Sequence, residues 1–262
     1  MVKHEKKQEL SVVLATFNEE KNLPACLDSV KGLASEIVIV DGSSTDKTTE
    51  IAKKYGAKVL VTQNLPIFHI NKQKAIDLAT KDWILQLDAD ERVSPKLASE
   101  IRSILTNPSS VNGYWIPRKN WFLGRFLMKG GQYPDYTLRF YRKGKGYLPQ
   151  KDVHEQALVE GHVGYLKESL LHFPYENFAS YYLKWDRYSD LLASQIEESL
   201  KDKNSHVKIV YGVGYLIIKP VHWFLTTYIR HKGFMDAWPG FVFSFFSALR
   251  FPVSYLKYLR IL

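Results

Sequence analysis

Short, mostly apolar runs alternate with amphipathic stretches through the first part of the chain. Leu10 to Ala15, Glu36 to Asp41 and Trp83 to Leu87 are such runs, and their brevity and lack of polar alternation predict buried strands; Ala57 to Val61 supplies a further strand. Pro24 at a first helical turn and Gly32 just past the end bracket a helix over about residues 23–31. A second helix over about 46–55 closes at Gly56, and a third over about 70–80 leads to Trp83. Strands alternating with helices in this way predict a parallel, doubly wound sheet whose strand ends share one edge. After Glu91, Ser94 as N-cap and Pro95 at the first helical position start a helix in which Leu97, Ile101, Ile104 and Leu105 recur at helical spacing.

From Gly113 to Leu148 the rhythm changes to short aromatic segments with turns at Gly124, Gly130-Gly131 and Gly144-Lys145-Gly146, which predicts antiparallel strands and loops. Glu176 to Leu200 is an amphipathic helix with Phe178, Tyr181, Tyr182, Trp185, Tyr188, Leu192 and Ile196 on its apolar side. Beyond Val207, Lys208, Lys219, Pro220, His222, Arg230, Lys232 and Arg250 break up the apolar runs. No run there reaches the roughly 18 to 20 residues that cross a bilayer. Trp223, Trp238, Phe241 and Phe245 interleaved with cations suit a segment lying on anionic lipid. A helical layer buried against the rest of the protein is the other arrangement this pattern allows.

Composition narrows this picture only slightly. The 262 residues carry a net charge of +9, which suits phosphorylated substrates, nucleic acid or an anionic membrane face without choosing among them. One cysteine, Cys26, excludes an internal disulfide and falls in the helical pattern of Leu23, Leu27 and Val30. The charged stretch Met1 to Leu10 runs into an apolar run too short for a signal peptide, so a cytoplasmic location is expected.

Candidate chemistry collects at the strand ends. The first strand leaves into Thr16-Phe17-Asn18-Glu19-Glu20, the second ends in Asp41 before Gly42-Ser43-Ser44-Thr45-Asp46, and the fourth opens into Asp88-Ala89-Asp90-Glu91. Side chains two apart on an extended segment point the same way, so Asp88 and Asp90 are expected to converge on one hard divalent cation, Mg or Mn. A strand end followed by an acidic turn and a capped helix is the other, and commoner, reading of a lone D-x-D. Trp115, Trp121, Phe122, Tyr133 and Tyr136 beside Arg118, Lys119, Arg125 and Arg139 suit a sugar-phosphate ligand or a core face next to a solvated one. Gly212-Val213-Gly214 lacks a third glycine, His154-Glu155 lacks the second histidine of a zinc protease, and there is no Walker loop.

In order and spacing, Ala15 to Glu20, Val40 to Asp46 and Leu87 to Glu91 resemble the motifs of family 2 glycosyltransferases with the GT-A fold. Trp115 to Trp121, Tyr133-Pro134-Asp135 and Val153-His154-Glu155 resemble the bacterial branch that builds the lipopolysaccharide inner core. The resemblance implies that Thr16, Phe17, Asn18, Glu20 and Asp41 hold the base and ribose of a nucleotide, with Asp88 on the ribose and Asp90 on the metal. Lys72-Gln73 stands where relatives often carry Arg-Asn, so Lys72 keeps the charge without the bidentate fork. Glu155 takes the place of the general base, with Asp152 and Asp135 as competitors, although relatives show Glu-Asp at that point. His172, a lone histidine among apolar neighbours, stays outside the metal set.

The expected architecture is therefore α/β: a GT-A fold with a mostly parallel doubly wound sheet and a C-terminal helical, membrane-associated extension. Residues 1–106 form the nucleotide-sugar half, 107–200 the acceptor half and 201–262 the basic and aromatic membrane segment. The expected activity is inverting and metal-dependent, moving glucose from UDP-glucose to a lipid-linked saccharide on the cytoplasmic face of the inner membrane. A polyprenyl-phosphate sugar synthase of the same fold is the alternative. A non-catalytic basic nucleic-acid-binding protein is a second, without a zinc, helix-turn-helix or RNA-recognition signature to support it, so nucleic acid is not expected as a partner.

Overall fold

The computed structural model describes residues 8–107, 109–150 and 156–260. The chain forms two compact units, each discontinuous in sequence: residues 1–118 with 135–172, and residues 119–134 with 173–262. The expected divisions at 106 and 200 follow chain order instead. The difference arises because strands after Gly113 return to pair in the sheet that the first residues build.

In the first unit, β1 (Leu10–Thr16), β2 (Glu36–Asp41), β3 (Lys58–Val61) and β4 (Trp83–Gln86) lie parallel in the order β3-β2-β1-β4. Helices α1 (Leu23–Ser29), α2 (Thr48–Lys54) and α3 (His69–Leu78) make the connections. Past β4 the sheet becomes mixed. β5 (Glu91–Val93) precedes α4 (Pro95–Thr106), and β6 (Gly113–Phe122) is followed by β7 (Arg125–Leu127) and β8 (Asp135–Arg142). β8 pairs antiparallel with β4 and β6 antiparallel with β8. A small ribbon of β9 (Gly146–Tyr147) and β10 (Leu158–Val159) stands apart, β11 (Val163–Tyr165) runs parallel to β6, and β12 (Leu170–His172) pairs antiparallel with β5.

The apolar runs of β1, β2 and β4 are unbroken because the sheet is covered on both sides there, whereas the edge strand β3 leaves Lys58, Leu60 and Val61 exposed. Val12 and Leu14 of β1 join Ile39, Leu85, Leu97 and Ile101 in one core, whereas Val13 joins Val38, Val40, Ile84, Ala75 and Ile76 in the other. Alternate residues of a strand point to opposite faces, so positions on both faces are apolar except where a buried polar group is paired, as Ser11 is with Glu36. Burial of each such side chain contributes about 1.5–3 kcal/mol. Helix α4 starts where the capping pattern places it, with the Ser94 hydroxyl accepting from the Leu97 amide at 3.2 Å.

In the second unit, the end of β6 and β7 form a hairpin closed by Leu123 and Gly124 at φ 47° and 91°. This two-residue turn fits the twist of the strands and requires positive φ at both positions, which glycine accepts and leucine adopts with strain. Helix α5 (Phe178–Leu200) begins at a reciprocal cap between Asn177 and Ser180. Its expected stripe is only partly buried: Tyr181, Trp185 and Ile196 are covered, while Phe178, Tyr182 and Tyr188 are exposed.

The C-terminal part corrects the expectation of an interrupted segment. α6 (Ser205–Val213), a π-helical turn, α7 (Lys219–Phe224) and a second π-helical turn form one continuous helix over Ser205–Arg230, long and apolar enough to cross a membrane by length and composition. Cations break an apolar run in sequence but not a helix. Pro220 lies inside this continuous helix, directly after the first π-helical turn, where its missing amide removes one backbone hydrogen bond. A turn containing Gly233–Asp236 leads into α8 (Ala237–Tyr258).

Candidate active site

The carboxyl ends of β1, β2 and β4 bring the predicted residues together within the first unit. Asp41 is fully buried, and its carboxylate accepts from the Thr16 hydroxyl at 2.8 Å, the Ser44 amide at 2.8 Å and the Ser44 hydroxyl at 2.6 Å. It therefore uses most of its acceptor capacity on ordering its own loop. Asn18 adopts left-handed backbone, φ 55°, and its side-chain oxygen accepts from the Thr45 amide at 2.8 Å. Glu20 accepts from the Lys47 amide at 3.1 Å, and Phe17 stands exposed beside them. These contacts lace the loop after β1 to the loop after β2.

The D-x-D segment departs from expectation. β4 stops at Gln86, and residues 88–91 form a turn closed by the Glu91 amide on the Asp88 carbonyl at 3.0 Å. Two-residue alternation holds only along extended backbone, and here the two aspartates take different partners. Asp88 is gripped by Lys72 at 2.5 Å and Arg139 at 2.6 Å. Burial raises its carboxyl, but the Arg139 and Lys72 charges outweigh this and hold it well below the usual carboxylate range. Burial pushes the Lys72 ammonium down, and Asp88 opposes the shift. Lys72 is thus buried behind Asp88, with its ammonium 4.6 Å from the Phe68 ring centre.

Glu91, fully buried, completes the turn. It accepts from the Asp88 amide at 2.9 Å and from Arg118 at 3.1 Å. Arg118 also holds Asp135, at 2.9 Å through Nε and 2.8 Å through a terminal nitrogen. Asp135, one competitor for the general base, is therefore engaged by a guanidinium. Glu155 and Asp152 lie outside the described residues.

Asp90 has a different neighbour. Its Oδ2 is 3.4 Å from Nε2 of His172, and its Oδ1 is buried without a hydrogen-bond partner. Glu19 lies close enough that, after burial, the charges of Asp90 and Asp88 push its carboxyl up against the pull of an Asn22 hydrogen bond. An orphaned buried carboxylate oxygen beside an imidazole fits a divalent cation. Among the described residues no group of three His, Cys, Asp or Glu gathers to hold a metal. A carboxylate and one imidazole nevertheless suit an ion that takes its remaining ligands from a substrate phosphate and water. His172 is the residue that sequence reasoning set aside; only the antiparallel pairing of β12 with β5, which sets His172 opposite Glu91, brings it to the turn.

Behind Asp88, on the α3 side of the sheet, lies a cavity of about 210 Å³ lined by Lys72, Gln86, Asp88, Arg118, Thr137, Arg139 and Gln156, among others. Gln86 Oε1 and Thr137 Oγ1 are buried there without hydrogen-bond partners. Neither residue was singled out from the sequence, since a lone glutamine or threonine inside a strand carries no pattern of its own.

The profile of Glycosyl transferase family 2 matches residues 11–170, which covers both the loops and the turn just described. The chain belongs to this family. It is 30% identical over 259 residues to the lipopolysaccharide core biosynthesis glycosyltransferase LpsC of Rhizobium meliloti, a match spanning 92% of this chain and 91% of that protein. An uncharacterized glycosyltransferase of Rickettsia typhi is 38% identical over 100 residues, 38% of this chain and 34% of its own. A crystal structure of TarS from S. aureus, 18% identical, shares the fold with a TM-score of 0.50, over 88% of this chain and 46% of that one. This glycosyltransferase therefore presents its strand-end residues on the GT-A framework expected from the motifs, with a helical C-terminal region that contains one possible apolar span.

Proposed function

We propose that this glycosyltransferase transfers glucose from UDP-glucose, with inversion, to a lipid-linked saccharide of the lipopolysaccharide inner-core type on the cytoplasmic face of the inner membrane. The observation that carries the chemistry is the turn after β4, where the unpartnered Asp90 Oδ1 stands beside His172 and Asp88 borders a polar cavity. Likeness to LpsC along nearly the whole chain supports the acceptor class.

In this reading the loops at Thr16–Glu20 and Asp41 receive the base and ribose, and Asp88 is kept ionised by Lys72 and Arg139. The cavity, at about 210 Å³, is large enough for a group of the size of one monosaccharide. Gln86 and Thr137 offer their free polar atoms to sugar hydroxyls there. Asp90 and His172 would hold a divalent ion, and the imidazole donor favours Mn over Mg. When bound, that ion neutralises charge on the departing diphosphate. The acceptor oxygen forms its bond to the anomeric carbon as the bond to the diphosphate oxygen breaks, and the hydroxyl proton passes to a carboxylate on the opposite face. Glu155 is assigned that role.

Transfer of radiolabelled glucose from UDP-glucose to lipopolysaccharide core from a deletion strain tests this. Turnover should vanish in EDTA, return with Mn, and add one hexose to the core by mass spectrometry. Full activity in chelator would remove the metal from the scheme, and glucosylation of polyprenyl phosphate in place of the core would move the enzyme to the alternative activity.

A further inference from the structure

The helix over Ser205–Arg230 carries an apolar surface that the described residues of its own unit leave bare. Val210, Val213, Ile217, Val221, Leu225 and Ile229 recur every three or four positions and all are exposed. The two π-helical turns, each closing a wider ring than an α-turn, keep this spacing on one face. The strip is about 28 Å long at 1.5 Å per residue. Between Lys208 and Arg230 the helix has one Lys, Arg, Asp or Glu side chain, Lys219, and that one is turned inward. Its ammonium lies 3.5 Å from the centre of the Tyr215 ring, 5.3 Å from Tyr211 and 5.9 Å from that of Phe251 on α8. The aromatic cage hides the single charge that would interrupt the strip.

By length and apolarity this helix qualifies as a transmembrane span. Its neighbours do not permit one. α8 packs on it and also on α5, with Trp185 of α5 donating to the Phe246 carbonyl at 2.7 Å and Lys257 paired with Asp186 and Asp190. Trp185 packs on Phe246, and Ile196 and Leu200 share one apolar cluster with Tyr255, so most of α5 lies along the second half of α8. α5 exposes Lys184, Arg187, Asp190, Glu197 and Glu198 from its second turn to its last. A helix across the bilayer would carry these charges into hydrocarbon, which is prohibitive for side chains facing lipid.

We infer that the helix lies in the plane of the membrane surface, its aliphatic strip sunk among acyl chains and the charged face of α5 turned to water. The occupant is lipid because the strip offers no hydrogen-bonding group. It is also flanked by Lys201, Lys203 and Lys208 at one end and Arg230 and Lys232 at the other, where anionic headgroups fit. Exposed Trp223 and Trp238 match residues that settle at the headgroup level. This deepens the membrane-side part of the proposed function, and its test needs no turnover, so a wrong donor or acceptor would leave the result intact.

The sole native cysteine, Cys26, is buried, so an introduced cysteine reports alone. Full-length Lys203→Cys and His231→Cys, at the two ends of the helix, are treated with an impermeant maleimide in intact spheroplasts and in inside-out vesicles. Both should label only in inside-out vesicles. Labelling of either end from outside, or of neither in both preparations, overturns the in-plane placement. Ile217→Cys carrying an environment-sensitive dye should be quenched more by lipids brominated high on the acyl chain than by lipids brominated near its end, in phosphatidylethanolamine–phosphatidylglycerol vesicles. No quenching would mean that protein or water covers the strip, which refutes it. Ile217→Asp with Val221→Asp should lower flotation with those vesicles at least tenfold while the melting temperature holds, and unchanged flotation counts equally against it.

Discussion

At the start of β2, Glu36 accepts from the Ser11 hydroxyl at 2.5 Å, the Thr80 amide at 2.7 Å, the Thr80 hydroxyl at 3.0 Å and Lys58 at 2.5 Å. At the opposite end of the same sheet, just past β4, Asp90 keeps one buried oxygen without any partner. Both are carboxylates beside parallel strands of one unit. Glu36 has all four acceptor positions filled by the chain and is pulled down to about 2 by those partners against its burial, so it ties β1, β2, β3 and the loop before β4 together. A filled carboxylate fixes structure, and one left with an open lone pair is available to a ligand. Asp88 combines the two, because it holds two buried cations and also borders the cavity.

If the carboxylates divide in this way, substitutions at the two ends should separate turnover from stability. The largest effect belongs to the assigned base: Glu155→Gln should lower kcat by about 10² to 10⁴-fold while calorimetry shows UDP binding nearly unchanged. Measured alongside, Asp152→Asn and Asp135→Asn locate the base elsewhere if either matches that loss and Glu155→Gln does not.

Asp88→Asn should destabilise the fold by about 3–5 kcal/mol in urea titrations, since it leaves Lys72 and Arg139 as buried charges without their shared partner. A melting curve like that of the unsubstituted protein would show that Asp88 belongs wholly with the functional residues. Asp90→Asn should cost about 10²-fold or more in kcat at unchanged stability, the loss expected when a stabiliser of transition-state charge is removed. His172→Ala should show a smaller loss that added Mn recovers.

Glu36→Gln should do the reverse, lowering stability by about 3 kcal/mol for a carboxyl drawn from about 4.5 to about 2, with kcat intact. Because the folded value is the lower one, the unfolded chain binds the extra proton. This contribution is complete above about pH 4.5 and fades as pH falls toward 2. The Glu36→Gln protein should therefore lose less stability over that window than the unsubstituted one. The smallest effect is at the cavity, where Gln86→Met should weaken UDP-glucose about tenfold, the worth of one hydrogen bond, and leave UDP itself unaffected. Equal loss for both ligands would place the sugar outside the cavity.

Much of the fold was legible because it is local. Unbroken apolar runs mark strands covered on both faces, and Ser94-Pro95 marks a helix start wherever the helix later packs. The gathering of Thr16, Asn18, Glu20 and Asp41 at one edge also followed from sequence, since successive parallel strands leave their carboxyl ends on one side. Three features depended on contacts that no local pattern encodes. Convergence of Asp88 with Asp90 assumed extended backbone, and the turn at 88–91 is fixed by Glu91 reaching the Asp88 amide and by Arg139 arriving from β8. His172 meets Asp90 only because the strand order brings β12 beside β5 at the end of the sheet, about 80 residues away in sequence. The continuity of the helix through Lys219 and Pro220 rests on an aromatic cage and on π-helical turns.

Sequence by itself determined which segments are buried and where acidic residues leave the strands, because hydrophobic periodicity and capping act over a few neighbouring residues. Tertiary structure decided which carboxylates are saturated and which remain open, because a lone pair is filled or left free by groups that strand pairing delivers from distant parts of the chain.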